Sequence, residues 1–262
     1  SPVLGLDKVI TTPHLGASTE EAQITVAVEM AGQVVDALKR DVYRNAVNAP
    51  MIDPERRERI APYMGLAEKM GSLLAQMFDG PIKTVSVEYI GEQLAEGTEP
   101  VTVAVIKGLL EPVLVENVNY VNAPYLARAR EITVSDARAA EESDFVNMLR
   151  VRVSSDDECH VAEGTLFGRK EPMIVGIDGF HVDAAPHGAL LVCRQEDGPG
   201  IIGKLGTILG RAGVNIAAMT LGRSAKGGEA LGVLNLDSPA PADALAEIAK
   251  TKEIQRVNQV IL

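Results

Sequence analysis

The chain has 262 residues, 46% of them hydrophobic, which is enough for two domains of ordinary size with real cores. Its net charge of −11 argues against nucleic acid or an anionic membrane surface as a partner, and 3% aromatic residues with no Trp argue against base-stacking platforms. No apolar run approaches the roughly 20 residues of a membrane span, and Cys159 and Cys193 lie in different segments without metal-type spacing, the pattern of reduced thiols in a cytosolic protein.

The chain opens Ser1-Pro2-Val3-Leu4, with no initiating Met and no signal-peptide pattern, so a piece of a longer protein is expected. Val9 and Ile10 read as the end of a strand, which Pro13 stops. His14 follows on a loop, and Gly16 lets the chain turn. Ser18 with Glu21 forms a capping box, predicting a helix from about Thr19 to Arg40 with Ala27, Ala31, Val34, Val35 and Leu38 on its apolar face. Asp41 to Pro50 suits an extended exit.

The run Thr12-Pro13-His14-Leu15-Gly16-Ala17-Ser18-Thr19-Glu20-Glu21 resembles the catalytic-histidine segment of the D-isomer-specific 2-hydroxyacid dehydrogenases. Its Gly-Ala-Ser-Thr continuation is most similar to the D-3-phosphoglycerate dehydrogenases. The resemblance implies that residues 1–50 are the end of an α/β nucleotide-binding domain with its crossover helix. It also implies NAD as cofactor, with His14 and Gly16 at its crevice and His14 as the base that takes the substrate hydroxyl proton. The Glu that tunes that histidine and the Arg that holds the substrate carboxylate are expected upstream of Ser1. No G-x-G-x-x-G follows a strand in the chain. Gly200, Gly203, Gly206 and Gly210 are spaced as a helix face.

Pro50, Pro54 and Pro62, with the charged run Glu55 to Arg59 among them, predict a domain boundary. Pro62 to Phe78 then places Leu66, Met70, Leu73, Leu74 and Met77 on one helical stripe, as core rather than as ligands. Thr84 to Tyr89 alternates as a half-buried strand, Val101 to Val115 reads mostly as a buried helix, and Asn122 to Arg130 reads as a short helix capped by Asn122 with Pro124 at its start. The next forty-odd residues are strand-rich: Ile132–Val134, Met148–Val153, His160–Phe167 and Met173–Ile177, with Asp178-Gly179 as a hairpin turn into Phe180. The segments Val121-Asn122-Ala123-Pro124, Glu163-Gly164-Thr165-Leu166-Phe167-Gly168 and Ile177-Asp178-Gly179-Phe180-His181-Val182-Asp183 resemble the intervening, or allosteric substrate-binding, domain of long-form D-3-phosphoglycerate dehydrogenases. Where some relatives carry basic, anion-holding residues, this chain has Met173, Phe180 and Ala185. His181 and His187 read as structural or surface residues, and His160, inside a strand, is assigned no role.

The last 75 residues read β-α-β-β-α-β, a ferredoxin-like order. The strands are Ala189–Cys193, Val214–Leu221, Glu229–Leu236 and Ile254–Leu262, with helices at Ile201–Ala212 and Ala242–Lys250. Glu196-Asp197-Gly198-Pro199-Gly200-Ile201-Ile202-Gly203, followed by Gly213-Val214-Asn215-Ile216, resembles an ACT domain. At such a loop, helix N–H groups receive a carboxylate, Asp197 accepts from an α-ammonium, and Asn215 both donates and accepts. The resemblance implies L-serine as effector, bound by Gln195, Asp197, Gly200 and Asn215 across an interface between two ACT domains, and hence a homo-oligomer.

The expected architecture is therefore α+β: residues 1–50 as the nucleotide-domain remnant, 51–187 as the intervening domain and 188–262 as the ACT domain. The implied parent enzyme is cytoplasmic. It oxidises 3-phospho-D-glycerate to 3-phosphohydroxypyruvate with NAD, opening serine biosynthesis, while the isolated chain is expected to be inactive. The alternative is a non-catalytic amino-acid sensor belonging to another enzyme, such as an L-serine dehydratase. Pro13 to Thr19 argue against it, since a sensor has no use for that loop.

Overall fold

The computed structural model describes residues 6–40, 54–91, 98–139, 145–168 and 170–262. They fall into two units, Ser1–Met51 and Ile52–Leu262.

The first unit is a loop and one long helix, α1 (Glu20–Arg40). Thr19, not Ser18, caps it: Thr19 Oγ1 accepts from the Ala22 N–H at 3.2 Å. Ser18 is used one step earlier, its N–H closing a turn on the Leu15 carbonyl around Ala17, which sits at φ 58°. Val9 and Ile10 are not a strand. A strand needs a hydrogen-bonded neighbour, and here the Val9 N–H closes a local turn on the Leu6 carbonyl. Along α1, Ile24, Val28, Val35 and Leu38 are exposed. The expected exit, Asp41 to Pro50, lies outside the described residues.

The second unit begins with α2 (Pro54–Met77), so the charge run at 55–59 is helical and Pro62 lies inside a helix rather than at a boundary. A proline ring costs the helix one hydrogen bond. The stripe that follows outweighs this, because Leu66, Met70, Leu73 and Leu74 are completely buried. Truncating any one of them would cost about 2–5 kcal/mol. The partner of α2 is α3 (Thr98–Leu110), with ten buried residues from Pro100 to Leu110. The two helices touch backbone to backbone: a Cβ at Gly71 would strike the Val105 carbonyl, and one at Gly108 would strike the Glu68 carbonyl.

These helices cover a six-stranded sheet made of β1 (Thr84–Ile90), β2 (Thr133–Ala139), β3 (Met148–Ser154), β4 (Cys159–Phe167), β5 (Glu171–Ile177) and β6 (Phe180–Ala184), in the order β2-β1-β3-β4-β5-β6. Among the described strands, only β1 and β2 pair in parallel. The connection between them carries α3 and α4 (Ala123–Ala129), as a parallel crossover requires. Asn122 does not cap α4 with its side chain. Its Oδ1 accepts from the Asn119 N–H at 2.7 Å and its Nδ2 donates to the Asn117 carbonyl, so it locks the preceding turn. Asp178 and Gly179 take φ 50° and 80°, the left-handed pair expected of a two-residue hairpin, and set Ile177 opposite Phe180.

The chain then folds as β7 (Ala189–Glu196), α5 (Ile201–Arg211), β8 (Ile216–Arg223), β9 (Glu229–Leu236), α6 (Ala242–Ala249) and β10 (Ile254–Ile261). The second sheet is antiparallel in the order β10-β7-β9-β8. This is the β-α-β-β-α-β order read from the sequence. One face is covered by α5 and α6, with Leu191, Cys193, Leu234 and Leu236 packed against Leu205, Leu209 and Ile248. The other face, carrying Leu190, Val192, Leu231, Val233 and Val260, joins the same hydrophobic cluster as Leu66, Met70 and Phe180. Burial on both faces explains why β7 and β9 are continuous apolar runs instead of alternating ones. No helix among the described residues is long and apolar enough to cross a membrane.

Candidate effector site

Residues 195–200 form the turn from β7 to α5. Gln195 shares the helix-covered face with Leu191 and Cys193, four and two residues before it, and is 2% exposed. Its Oε1 is a buried acceptor without a partner among the described residues. Leaving such an atom unsatisfied costs about 1–3 kcal/mol, so a polar guest that donates to it would recover that cost.

Asp197 follows at the strand end. Its N–H donates to the Gly228 carbonyl at 2.8 Å, its Oδ2 accepts from the Gly227 N–H at 3.0 Å, and Arg223 Nη1 stands 3.4 Å from the same oxygen. The Gly227 N–H, and after it the Arg223 guanidinium, hold the carboxyl below the usual carboxylate range. The group is therefore an anion at neutral pH, suited to an ammonium.

Gly200 then takes φ 86°, a conformation open to glycine, and starts α5 with no side chain capping the helix. The first N–H groups of α5 therefore point out of the loop, ready for a carboxylate. A Cβ at Gly203, Gly206 or Gly210 would meet nothing within 4 Å. Gly203, Gly206 and Gly210 make an open face of α5, not a close approach of the helix to its sheet. Gly200, Gly203, Lys204 and Thr207 line a groove continuing from the loop towards α6.

Asn215 is exposed just before β8, and its Nδ2 donates to Asp237 Oδ2 at 2.7 Å. The structure does not bring it to the others within one chain. β7 and β8 both run antiparallel to β9, so Glu196 and Arg223 share one end of the sheet while Asn215 lies at the other.

Comparison with known proteins places this geometry. Residues 59–178 match the D-3-phosphoglycerate dehydrogenase intervening domain, and residues 189–253 match the ACT domain. The chain carries the intervening and ACT domains of the D-3-phosphoglycerate dehydrogenase family. It is 39% identical over 260 residues to the D-3-phosphoglycerate dehydrogenase of Methanocaldococcus jannaschii, covering 99% of this chain and 49% of that protein. To the enzyme of Synechocystis sp. it is 43% identical over 249 residues, 94% of this chain and 45% of that one. To that of Bacillus subtilis it is 35% identical over 254 residues, 97% and 48% respectively. The chain spans about half the length of the curated relatives it matches, and corresponds to their C-terminal, regulatory portion.

In the intervening domain, the three positions singled out by the resemblance, Met173, Phe180 and Ala185, are apolar. Met173 is half-buried, Phe180 is buried under the Arg194 guanidinium at 5.6 Å, and the Ala185 carbonyl accepts from Asn235 Nδ2 at 2.8 Å. Arg194 is itself paired with Glu229 at 2.8 Å. His181 and His187 are exposed. Both cysteines are free. Burial pushes the Cys193 thiol up to about 12, so it is an inert core residue.

In the first unit, His14 and Gly16 are exposed on the loop before α1, with Gly16 close enough that a Cβ there would lie 3.5 Å from His14 Nε2. The residue that sequence reading passed over is His160. It is 6% exposed and stands between Asp178 and Glu158, with Arg256 of β10 alongside. Glu158 is only two positions away, but the other two partners, Asp178 and Arg256, lie 18 and 96 positions away and meet it only in the fold.

Proposed function

We propose that this chain is the regulatory part of a cytoplasmic D-3-phosphoglycerate dehydrogenase, with 1–50, 51–187 and 188–262 as its nucleotide-domain remnant, intervening and ACT segments. The parent enzyme oxidises 3-phospho-D-glycerate to 3-phosphohydroxypyruvate with NAD, and L-serine regulates it at the ACT domain. His14 is the proton acceptor of that reaction in the assembled enzyme, with Gly16 beside the cofactor. The 262 residues by themselves are inactive.

The observation that carries the effector assignment is the buried, partnerless Oε1 of Gln195 next to an ionised Asp197 and an uncapped helix start. Each group of an amino acid zwitterion has a counterpart there. The α5 N–H groups at Gly200 take the carboxylate, the Oδ1 of Asp197 accepts from the ammonium, and Gln195 Oε1 accepts a hydrogen bond from the hydroxyl. Asn215 enters from a second copy of the chain, which makes the functional form a homo-oligomer.

Regulation then follows from linkage: L-serine must bind one state of the oligomer better than another. Isothermal calorimetry of the chain with L-serine tests the assignment. Binding heat that is lost in Asp197→Ala is expected. No heat with serine, or binding untouched by that substitution, would refute it.

A further inference from the structure

Arg256 leaves the ACT sheet and enters the intervening domain. Its Nη1 donates to Glu158 Oε1 at 2.5 Å, its Nη2 to Asp79 Oδ2 at 2.9 Å and to the Met77 carbonyl, and its Nε to Asn258 Oδ1 at 3.1 Å. One guanidinium thus fastens β10 to the end of α2 and to the turn before β4. Glu158 completes the join, its Oε2 accepting from the Asp79 N–H at 2.8 Å.

His160 stands inside this junction. Its Nδ1 is 2.7 Å from Asp178 Oδ2, its Nε2 is 3.0 Å from Glu158 Oε1, and Arg256 Nη1 is 3.4 Å from Nε2. Asp178 is fixed in turn, with Oδ1 accepting from the Val161 N–H at 2.9 Å. The Phe78 ring meets the imidazole edge-on at 5.9 Å. The charged groups facing His160 are Asp178 from the β5–β6 turn, Glu158 from the approach to β4, and Arg256 from β10. Asp79 stands behind Arg256, and Arg194 of β7 lines the same small cavity.

A carboxylate can only accept, and a neutral imidazole has a single N–H. Only the doubly protonated ring satisfies both contacts. In either neutral tautomer, one nitrogen lone pair faces a carboxylate at hydrogen-bond distance. The relief available is for Nε2 to accept from Arg256 Nη1, which draws the guanidinium away from Glu158. We propose that the junction of the intervening and ACT domains is a proton-controlled clamp, closed while His160 carries both ring protons and loosened when it loses one.

The electrostatics agree. The hydrogen bond to Asp178 holds the His160 imidazole above its ordinary value despite burial. At Glu158, burial pushes the carboxyl up, but the bonds from Arg256, the Asp79 N–H and His160 outweigh it and leave it below the usual range. For a group whose folded pKa is raised, the stabilisation is complete below the unfolded value, about 6.5 for His, and is lost as pH rises through the folded one. Loosening therefore sets in as pH rises above the ordinary imidazole value. It reaches the effector strand directly, since Ile254 pairs with Gln195 and Arg256 with Arg194. The clamp stands whether or not serine is the effector.

Hydrogen–deuterium exchange of the 262-residue chain at about pH 6 and about pH 9, corrected for intrinsic rates, reads the clamp in peptides covering 76–80 and 254–261. Protection is expected to fall by about tenfold or more at the higher pH. In His160→Gln, which cannot titrate, it should be the same at both. Equal protection at both pH values in the unaltered chain, or an unchanged pH response in His160→Gln, would overturn the proposal. Arg256→Gln keeps the imidazole and covers the case in which His160→Gln does not fold. Its β10 peptides should exchange fast at both pH values, and a persisting pH-dependent protection there would place the titrating group elsewhere.

Discussion

Asp197 and Asn215 stand at opposite ends of β8. Arg223, the last residue of that strand, contacts Asp197, while Asn215 directly precedes the first, Ile216. Eight strand residues separate them, roughly 25 Å at the usual rise. A single serine molecule cannot touch both in one chain. β8 is also an edge strand of its sheet, paired with β9 alone among the described strands. Two such edges paired antiparallel about a two-fold axis would set the Asn215 end of one copy beside the Asp197 end of the other.

Serine binding should therefore be linked to association. A ligand that binds only the dimer tightens the dimer by mass action. Sedimentation velocity at low protein concentration should show the monomer fraction falling as L-serine is added. A monomer that binds serine without change of mass would contradict this.

Gln195 offers a separation of stability from function. Gln195→Met keeps the length of the side chain and removes the stranded oxygen. With no effector present the substitution should be neutral or stabilising by about 1 kcal/mol, read as a raised thermal midpoint. Serine affinity should fall in the same variant. A loss of stability in the free protein would mean that the amide is a structural element and not a ligand group.

At the α2–α3 contact the expected effect is purely structural. Gly108→Ala places a methyl against the Glu68 carbonyl, where backbone meets backbone and no side chain can move aside. Overpacking of this kind costs about 1–3 kcal/mol or more. Chemical denaturation should show a lower midpoint, whereas Gly203→Ala, on the open face of α5, should leave it unchanged or raise it. Equal effects at the two sites would refute the close approach.

Most of this architecture was legible because its signals are local. The Asp178-Gly179 hairpin, the apolar stripe of α2 and the ACT loop each announce themselves within a dozen residues. The misreadings have a common origin in longer-range effects. Pro62 counts towards a domain boundary in the sequence, because the strength of the α2–α3 contact that carries the helix through it is invisible from one helix alone. Asn122 before Pro124 has the sequence of a cap, but its bond from the Asn119 N–H competes with capping and wins. The spacing of the α5 glycines marks a helix face, but only their three-dimensional surroundings show that this face is open. His160 escaped notice for the same reason: its meaning comes from Asp178, Glu158 and Arg256, which three separate segments bring together.

The central claim, a serine site shared between two ACT domains, is tested most directly by mixing. Asp197→Ala and Asn215→Ala chains should each fail to bind L-serine alone. When the two are refolded together at equal amounts, half of the dimers are mixed, and each mixed dimer has one intact site of two. Calorimetry of the mixture should recover about a quarter of the original sites at close to the original affinity. A mixture as inert as its components would contradict the account.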